Sequence, residues 1–249
     1  MPIQSKRQSE APVVVMNNAG RSFGRRVVLS GLNLTVSGGE VVGVVGPNGG
    51  GKSTLLLLMS GLLRPTVGSV SVCGIEARAL SLTAAGQVGL VTSRPGLYPL
   101  LTGRENLRHF GGLFGLAPRQ VDARAEPLAR TLDLTAGLDE RVGRLSTGMQ
   151  QKLSLIRALL LSPKLLLFDE PTAHLDPLAS KVLYAEIRRR ADEGLACTLV
   201  THDLSAAEAV CDRVLIIDGT VKREVRFTDH RAAPSGPLLT AWQEAVGAR

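Results

Sequence analysis

The chain of 249 residues is expected to adopt an α/β fold built on a parallel sheet, and three observations carry that expectation. Val41–Val45, Leu165–Phe168 and Ala196–Val200 are apolar runs of strand length without polar alternation, as strands covered on both faces require. Each run ends in a polar cluster, the order found where strand ends line a ligand crevice. Between the first run and the apolar stretch Leu55–Met59 lies Gly46-Pro47-Asn48-Gly49-Gly50-Gly51-Lys52-Ser53-Thr54. It fits the phosphate-binding pattern G-x-x-x-x-G-K-[ST] at every fixed position.

That pattern has a physical basis. Glycines let backbone N–H groups turn inward around an anion with no Cβ in the way. A helix opening near Lys52 points its unsatisfied N–H groups and its positive dipole end at the same phosphates. Lys52 is placed to reach the β- and γ-phosphates, and the Ser53 hydroxyl to complete a Mg²⁺ shell. The alternative is a glycine-rich turn that happens to precede a lysine; the strand–turn–helix context favours nucleotide binding.

Composition bounds the rest. The length admits one large α/β domain or two small ones. Aromatic residues make up only 3% of the chain, so Val, Leu, Ile and Ala must build the core. Cys73, Cys197 and Cys211 are odd in number and lack metal-ligand spacing, which favours a reducing compartment with no structural disulfide. The polar opening Met1–Glu10 is unlike a signal peptide, and the longest apolar runs are far too short to span a bilayer. A net charge of +7 raises nucleic acid or an anionic membrane surface as partners. The basic residues are dispersed, however, and Arg25-Arg26, Arg188-Arg189-Arg190 and Lys222-Arg223 are read as solvated faces.

Taken in order, residues 1–11 are expected to form a flexible tail. Val13–Met16 and Leu32–Val36 read as strands flanking a loop that contains Phe23, which either stacks on a base or anchors the core. Gly61 and Pro65 end the helical run that follows Lys52. Gly68–Val72 and Val88–Val91 read as strands. From Ser93, the turn residues Pro95, Gly96 and Pro99 open a helical insertion over about residues 94–161, placed on one edge of the sheet. Its last helix starts at Ser146, and Met149, Leu153, Ile156 and Leu160 form one apolar stripe. Ser146 is a good N-cap, and with Gly148 it can equally present N–H groups to a phosphate.

The run Leu165–Phe168 leads into Asp169-Glu170-Pro171. Two carboxylates at a strand's carboxyl end are costly unless a cation or a proton relay uses them. Asp169 is therefore assigned to Mg²⁺ beside Ser53, and Glu170 to polarising an attacking water. Pro177 starts an amphipathic helix to about Arg190. Thr201-His202-Asp203 follows the strand Ala196–Val200, and His202 is placed to contact the γ-phosphate or the water. Val214–Asp218, a turn at Gly219 and a strand to about Phe227 come next. Residues 228–249 form a tail with a short helix carrying Trp242.

Together these motifs resemble those of the ABC-type ATPases, the nucleotide-binding subunits of ABC transporters, over about residues 12–226. Gly46–Thr54 resembles the Walker A loop, and Leu165–Glu170 resembles Walker B with its glutamate. Leu145-Ser146-Thr147-Gly148-Met149-Gln150-Gln151 resembles the signature motif in the form common among ABC-2-type exporters. Ala173-His174-Leu175-Asp176 resembles the D-loop, His202 the switch histidine, and Phe23 the adenine-stacking aromatic. The resemblance implies a P-loop NTPase (RecA-like) core with an antiparallel β subdomain and an inserted helical subdomain. It also implies ATP and Mg²⁺ as cofactors and a head-to-tail dimer, most simply a homodimer. Ser146 and Gly148 of one chain would there face the Walker A loop, Asp169, Glu170 and His202 of the other.

A polytopic membrane permease subunit is the implied partner, contacted through the helical subdomain, with the ATPase held peripherally at the cytoplasmic face of the membrane. No nucleic acid is expected. A soluble ABC-type ATPase acting on nucleic acid or ribosomes is the alternative; such machines usually carry a long coiled coil, zinc-binding cysteines or two cassettes. A non-hydrolysing switch subunit is opposed by intact Lys52, Asp169, Glu170 and His202. Three positions depart from the family pattern. Ser93 stands where glutamine is usual, with Gln87 read as a strand residue too early to replace it. His174 is bulky for a D-loop, and Thr147-Gly148-Met149 replaces two glycines and a glutamine.

Overall fold

The computed structural model describes residues 12–76, 86–227 and 236–246. The expected tail at 1–11 lies outside them, as does the tail beyond Phe227 apart from its helix. Two sheets organise the chain. The larger has six strands in the order β10-β9-β3-β8-β7-β6. They are β3 (Val41–Val45), β6 (Val88–Thr92), β7 (Leu165–Asp169), β8 (Ala196–Val200), β9 (Arg213–Asp218) and β10 (Thr220–Arg226). All pair in parallel except β10, which runs antiparallel to β9. The smaller sheet is antiparallel, in the order β2-β1-β4-β5, from β1 (Pro12–Phe23), β2 (Arg26–Ser37), β4 (Val67–Val72) and β5 (Ile75–Glu76).

The unbroken apolar runs find their explanation in two cores. Val41 and Val45 of β3, with Leu166 and Phe168 of β7, face one core, shared with the helices. Val42 and Val44, with Leu165 and Leu167, face the other, shared with the antiparallel sheet. Successive side chains of a strand point to opposite faces, so a strand covered on both sides must be apolar at every position. Gly43 is the exception that closeness demands: a Cβ there would lie 2.7 Å from Val214 Cγ2 and 2.8 Å from Cys211 Sγ.

Seven helices surround this frame among the described residues: α1 (Lys52–Met59), α2 (Gly103–Leu113), α3 (Pro118–Thr131), α4 (Thr147–Leu159), α5 (Pro177–Asp192), α6 (Leu204–Val210) and α7 (Pro237–Val246). α2, α3 and α4 form the helical insertion beside the edge strand β6, as the sequence predicts. Thr102 opens α2 with a reciprocal capping box to Glu105. A short 3₁₀ turn, Val142–Arg144, leads into α4.

Three expectations are corrected. The loop holding Phe23 is a tight turn at Gly24-Arg25, because β1 and β2 run on as a long hairpin in which Phe23 pairs with Arg26. Gln87 lies in the turn before β6, where its carbonyl accepts from Lys164 and Leu165 N–H. The arginine run at the end of α5 is not a free solvated face. Arg188 pairs with Asp192 and Asp212, while Arg189 and Arg190 share Glu186 and Glu193. Arg223 likewise pairs with Glu244 of α7. All three cysteines are free, and burial pushes the Cys197 and Cys211 thiols well above their ordinary range.

Arg213 ties the two sheets together. Its guanidinium is held by Glu40 at 2.7 Å and Glu224 at 3.2 Å, and it also donates to the Thr35 carbonyl of β2. Removing one member of a buried charge network leaves the others uncompensated. Arg213→Met is therefore expected to lower stability by about 2–3 kcal/mol. Chemical denaturation of the variant checks it; an unchanged midpoint would mean the network contributes nothing net.

Candidate functional site

Register explains how residues far apart in sequence meet. Thr92 of β6 pairs with Asp169 of β7, Asp169 with Val200 of β8, and Val44 of β3 with Val200. These four lie in one row across the sheet. The next residues along each strand therefore emerge together at the carboxyl edge: Ser93, Glu170, Thr201 with His202, and Val45 leading to Gly46. In an open parallel sheet this edge is the ligand crevice.

The Gly46–Lys52 turn lies directly on the end of β9. A Cβ on Gly46 would sit 2.2 Å from the Ile217 carbonyl oxygen. Gly51 adopts φ 96° and caps α1 without a side chain; a Cβ there would lie 2.5 Å from Leu29 Cδ2 of β2. Lys52, the first residue of α1, is only 8% exposed. Its Nζ donates to the carbonyls of Gly46 at 2.9 Å and Pro47 at 3.1 Å. Burial pulls its pKa below the ordinary lysine value, against the charges of Glu170 and Asp169, which act to raise it. A cation stored against two carbonyls inside a glycine cradle is fitted to receive a polyphosphate.

Glu170 leaves β7 with φ 50°, a left-handed conformation that a non-glycine residue adopts at a cost of about 1–3 kcal/mol. Its N–H donates to the Val200 carbonyl at 3.0 Å, which holds the strained residue in place. The carboxylate turns toward β8. Oε2 accepts from the His202 N–H at 3.3 Å, and Oε1 lies 3.2 Å from His202 Nε2. That second approach is near enough for an ion pair but is not aligned as a hydrogen bond, so Oε1 is buried without a donor. Burial raises the carboxyl's pKa, with His202 and Lys52 acting in the opposite direction. An orphaned carboxylate oxygen beside an exposed histidine fits a group that takes a proton from water.

The remaining predicted residues fall into two places. Phe23 stands beside the turn of the β1–β2 hairpin and is 48% exposed, with the Arg21 guanidinium 4.6 Å above its ring. It is no core anchor. Its cross-strand partner Arg26 reaches the phosphate turn, its Nη2 lying 4.0 Å from where a Gly49 Cβ would stand. Ser146 caps α4 by accepting from Met149 N–H at 3.2 Å. Together with Gly148, it lines a separate cleft of about 460 Å³ shared with Lys152, His174 and Asp176. No residue of Gly46–Thr54 lines that cleft. The Asp176 carboxylate caps α5 through the N–H groups of Leu178 and Ala179, both at 2.9 Å. It therefore sets the course of the His174 loop.

Sequence reading missed the buried polar residues that brace the site. Tyr184 bonds Thr172 at 2.8 Å behind the Pro171–Asp176 loop, and Gln151 bonds the Thr92 carbonyl at 3.1 Å. Each lies on a helix face that otherwise reads as core. The only available signal was a polar residue interrupting an apolar stripe.

The glycine cradle, the stored lysine and the carboxylates at the strand ends define a P-loop nucleotide hydrolase. The family model described as "ABC transporter" matches residues 29–173. The chain is 38% identical over 201 residues to the Nod factor export ATP-binding protein I of Burkholderia lata, covering 81% of this chain and 66% of that protein. It is 37% identical over 216 residues to the ABC transporter ATP-binding protein YdbJ of Bacillus subtilis, covering 86% and 69%. The match thus spans about two thirds of those relatives' length. Among solved structures, an ATP-binding subunit of an ABC transporter superposes with TM-score 0.78 at 30% identity, over 94% of this chain and 95% of the other. A dimeric ATP-binding cassette bound to ADP and Pi after hydrolysis superposes with TM-score 0.76 at 27% identity, over 87% and 99%. The chain belongs to the ABC transporter family, as an ATP-binding and ATP-hydrolysing subunit.

Two outcomes follow for the site. Glu170→Gln keeps shape but cannot take a proton, so ATP should bind while turnover falls about 10²-fold or more; wild-type turnover in that variant removes Glu170 from the chemistry. Phe23→Ala should weaken ATP binding by about 1–3 kcal/mol through lost stacking, with an unchanged melting temperature. Titration with a fluorescent ATP analogue measures it, and unaltered affinity would leave Phe23 as a surface residue.

Proposed function

We propose that this subunit powers an ABC exporter, two copies closing on two ATP molecules and reopening after hydrolysis. The observation that carries the reading is the division of the site. Lys52, Asp169, Glu170 and His202 share one edge of the parallel sheet, while Ser146 and Gly148 open into a different cleft. A second copy turned head to tail brings the two halves together. The names of the export relatives support the direction of transport.

In each composite site the glycine turn and Lys52 bind the phosphates, with Pro47, Asn48, Gly49, Gly50 and Thr54 completing the turn. Ser53 and Asp169 would hold Mg²⁺, which would neutralise phosphate charge. Glu170 takes the proton of the attacking water, and His202 steadies the same water and the γ-phosphate. The partner copy's signature helix contributes the Ser146 hydroxyl and the amide of Gly148.

A membrane permease is proposed to dock on the helical insertion, and through it the subunit sits at the cytoplasmic face of the membrane. No helix among the described residues is long and apolar enough to cross one. The insertion instead exposes Tyr98, Leu100 at 80%, Leu113 and Phe114, a concentration of apolar surface in a protein poor in aromatics. The alternative, action on nucleic acid, is disfavoured by the same ion pairs that consume the Arg188–Arg190 cluster.

The shared site is tested by mixing two dead variants. Lys52→Ala and Ser146→Arg chains should each lack ATPase activity alone. Mixed, they should regain it, because one of the two sites in a mixed dimer then draws intact Lys52 from one chain and intact Ser146 from the other. No recovery on mixing, with both proteins folded, would falsify the head-to-tail arrangement.

A further inference from the structure

The segment Thr92–Leu101 carries Ser93 away from the sheet edge and has no regular structure beyond Thr92, yet it is held at close intervals. Five of its carbonyls accept from one stretch of chain. Thr92 is bonded by Gln151 at 3.1 Å, Pro95 and Gly96 by Arg157 at 2.8 and 3.3 Å, and Pro99 and Leu101 by the N–H groups of Gly143 and Val142, both at 2.9 Å. All the donors lie in Val142–Arg157, the 3₁₀ turn and helix that carry Ser146 and Gly148. From α2, Asn106, 0% exposed, accepts from the Tyr98 N–H at 2.8 Å and donates to its carbonyl at 3.0 Å. The Ser93 side chain makes no hydrogen bond among the described residues.

Arg157 is the costly member of this set. Among the described residues it has no carboxylate partner, and burial lowers its pKa. Its charge is met by the two loop carbonyls, by Ser154 Oγ at 3.2 Å, and by the face of Phe110 at 4.7 Å. Half-burying a cation without a counter-charge costs solvation, and an apolar side chain would fill the same space without that cost. What only the guanidinium supplies is a rigid fork that grips the loop's backbone while stacking on an aromatic ring. Phe110, Phe114 and Arg157 also line one groove of about 120 Å³ beside β6. One side chain thus joins the signature helix to the Ser93 loop and to Phe110, which stacks on the exposed Tyr98 with ring centroids 5.9 Å apart.

We propose that Arg157, assisted by Gln151, is a positioning residue that makes the Thr92–Leu101 loop and the signature helix one rigid body. Movement at the nucleotide then reaches the insertion's apolar surface through the loop backbone, with no part for the Ser93 side chain. The inference rests on the ATP-driven closure proposed above. It locates the coupling in residues that the short serine at position 93 leaves untouched.

Hydrogen–deuterium exchange on the full chain carrying Glu170→Gln tests it, with and without MgATP. Without nucleotide, peptides covering 93–101 should exchange about tenfold faster after Arg157→Met, the loss of one charge-assisted hydrogen bond's worth of protection. Arg157→Lys, which keeps the charge and loses the fork, should fall between. With MgATP, peptides covering 93–101 and 145–150 should gain protection together in the parent and in Ser93→Ala. In Arg157→Met only 145–150 should respond. Equal protection of 93–101 in the parent and in Arg157→Met overturns the proposal, and so does loss of joint protection in Ser93→Ala alone. Should Arg157→Met fail to fold, Arg157→Lys, which loses the fork that grips Pro95 and Gly96, is read the same way. Protection of Gly46–Thr54 by ATP is measured in the same samples. Its absence from the parent would sink the nucleotide reading, while the nucleotide-free rates would still judge the clamp.

Discussion

The approach of the phosphate turn to the end of β9 is the constraint on which the rest of the molecule depends. With 2.2 Å between a Gly46 Cβ and the Ile217 oxygen, and 3.1 Å for one on Gly50, only glycines let the turn lie flat on the sheet edge. The turn is then braced from both sides. Gly219 N–H donates to the Gly50 carbonyl at 3.1 Å, and Ser30 N–H of β2 to the Gly219 carbonyl at 2.9 Å. The β9–β10 hairpin and the antiparallel sheet thus hold the cradle as a floor and a wall. A phosphate cradle must be rigid before it binds, since ordering it afterwards would consume binding energy.

From that fixed point the electrostatics follow. Lys52 cannot leave the cradle without abandoning two carbonyls, and it lies close enough to Glu170 and Asp169 to feel both charges. Glu170 is strained at φ 50°, and one of its oxygens is buried without a donor, a cost that a structural carboxylate would shed by turning to solvent. Strain sustained by surrounding structure gathers where geometry must be held for chemistry. Here the support is the Val200 carbonyl on one side and the His202 backbone on the other, both from the end of β8. The same strand end therefore positions base and histidine together.

How much of this was legible in the sequence depends on whether a residue's role is local. The double-faced strands, the phosphate turn and the Ser146 cap are set by short-range pattern, and each lies where the pattern puts it. The Phe23 hairpin was misjudged because β1 and β2 contain irregularities that break strict alternation, with register shifts near Ala19 and Arg21. The arginine run of α5 looked like a solvated face because two of its carboxylate partners, Glu186 and Glu193, belong to the same helix end, while Asp212 lies far along the chain. The roles of Asn106 and Arg157 were invisible for a related reason. Their partners are mainly backbone groups, which leave no residue-type signature in the sequence.

Those backbone partners bear on the three departures from the family pattern. A bond to a carbonyl survives replacement of the side chain on the same residue, so a loop held through its backbone tolerates change at its side chains. Ser93 lies between Thr92 and Pro95, both gripped from α4. His174 precedes Asp176, whose carboxylate anchors the loop to α5 whatever stands two residues earlier. Thr147 and Met149 flank Gly148 in a helix turn whose start is fixed by Ser146. In each case the fixed element is a cap or a backbone bond; Thr147, Met149 and His174 line the Ser146 cleft, and Met149 also packs against the core. The fold fixes these loops through caps and backbone bonds, so Ser93 and His174 depart from the pattern at positions whose side chains the anchoring does not use.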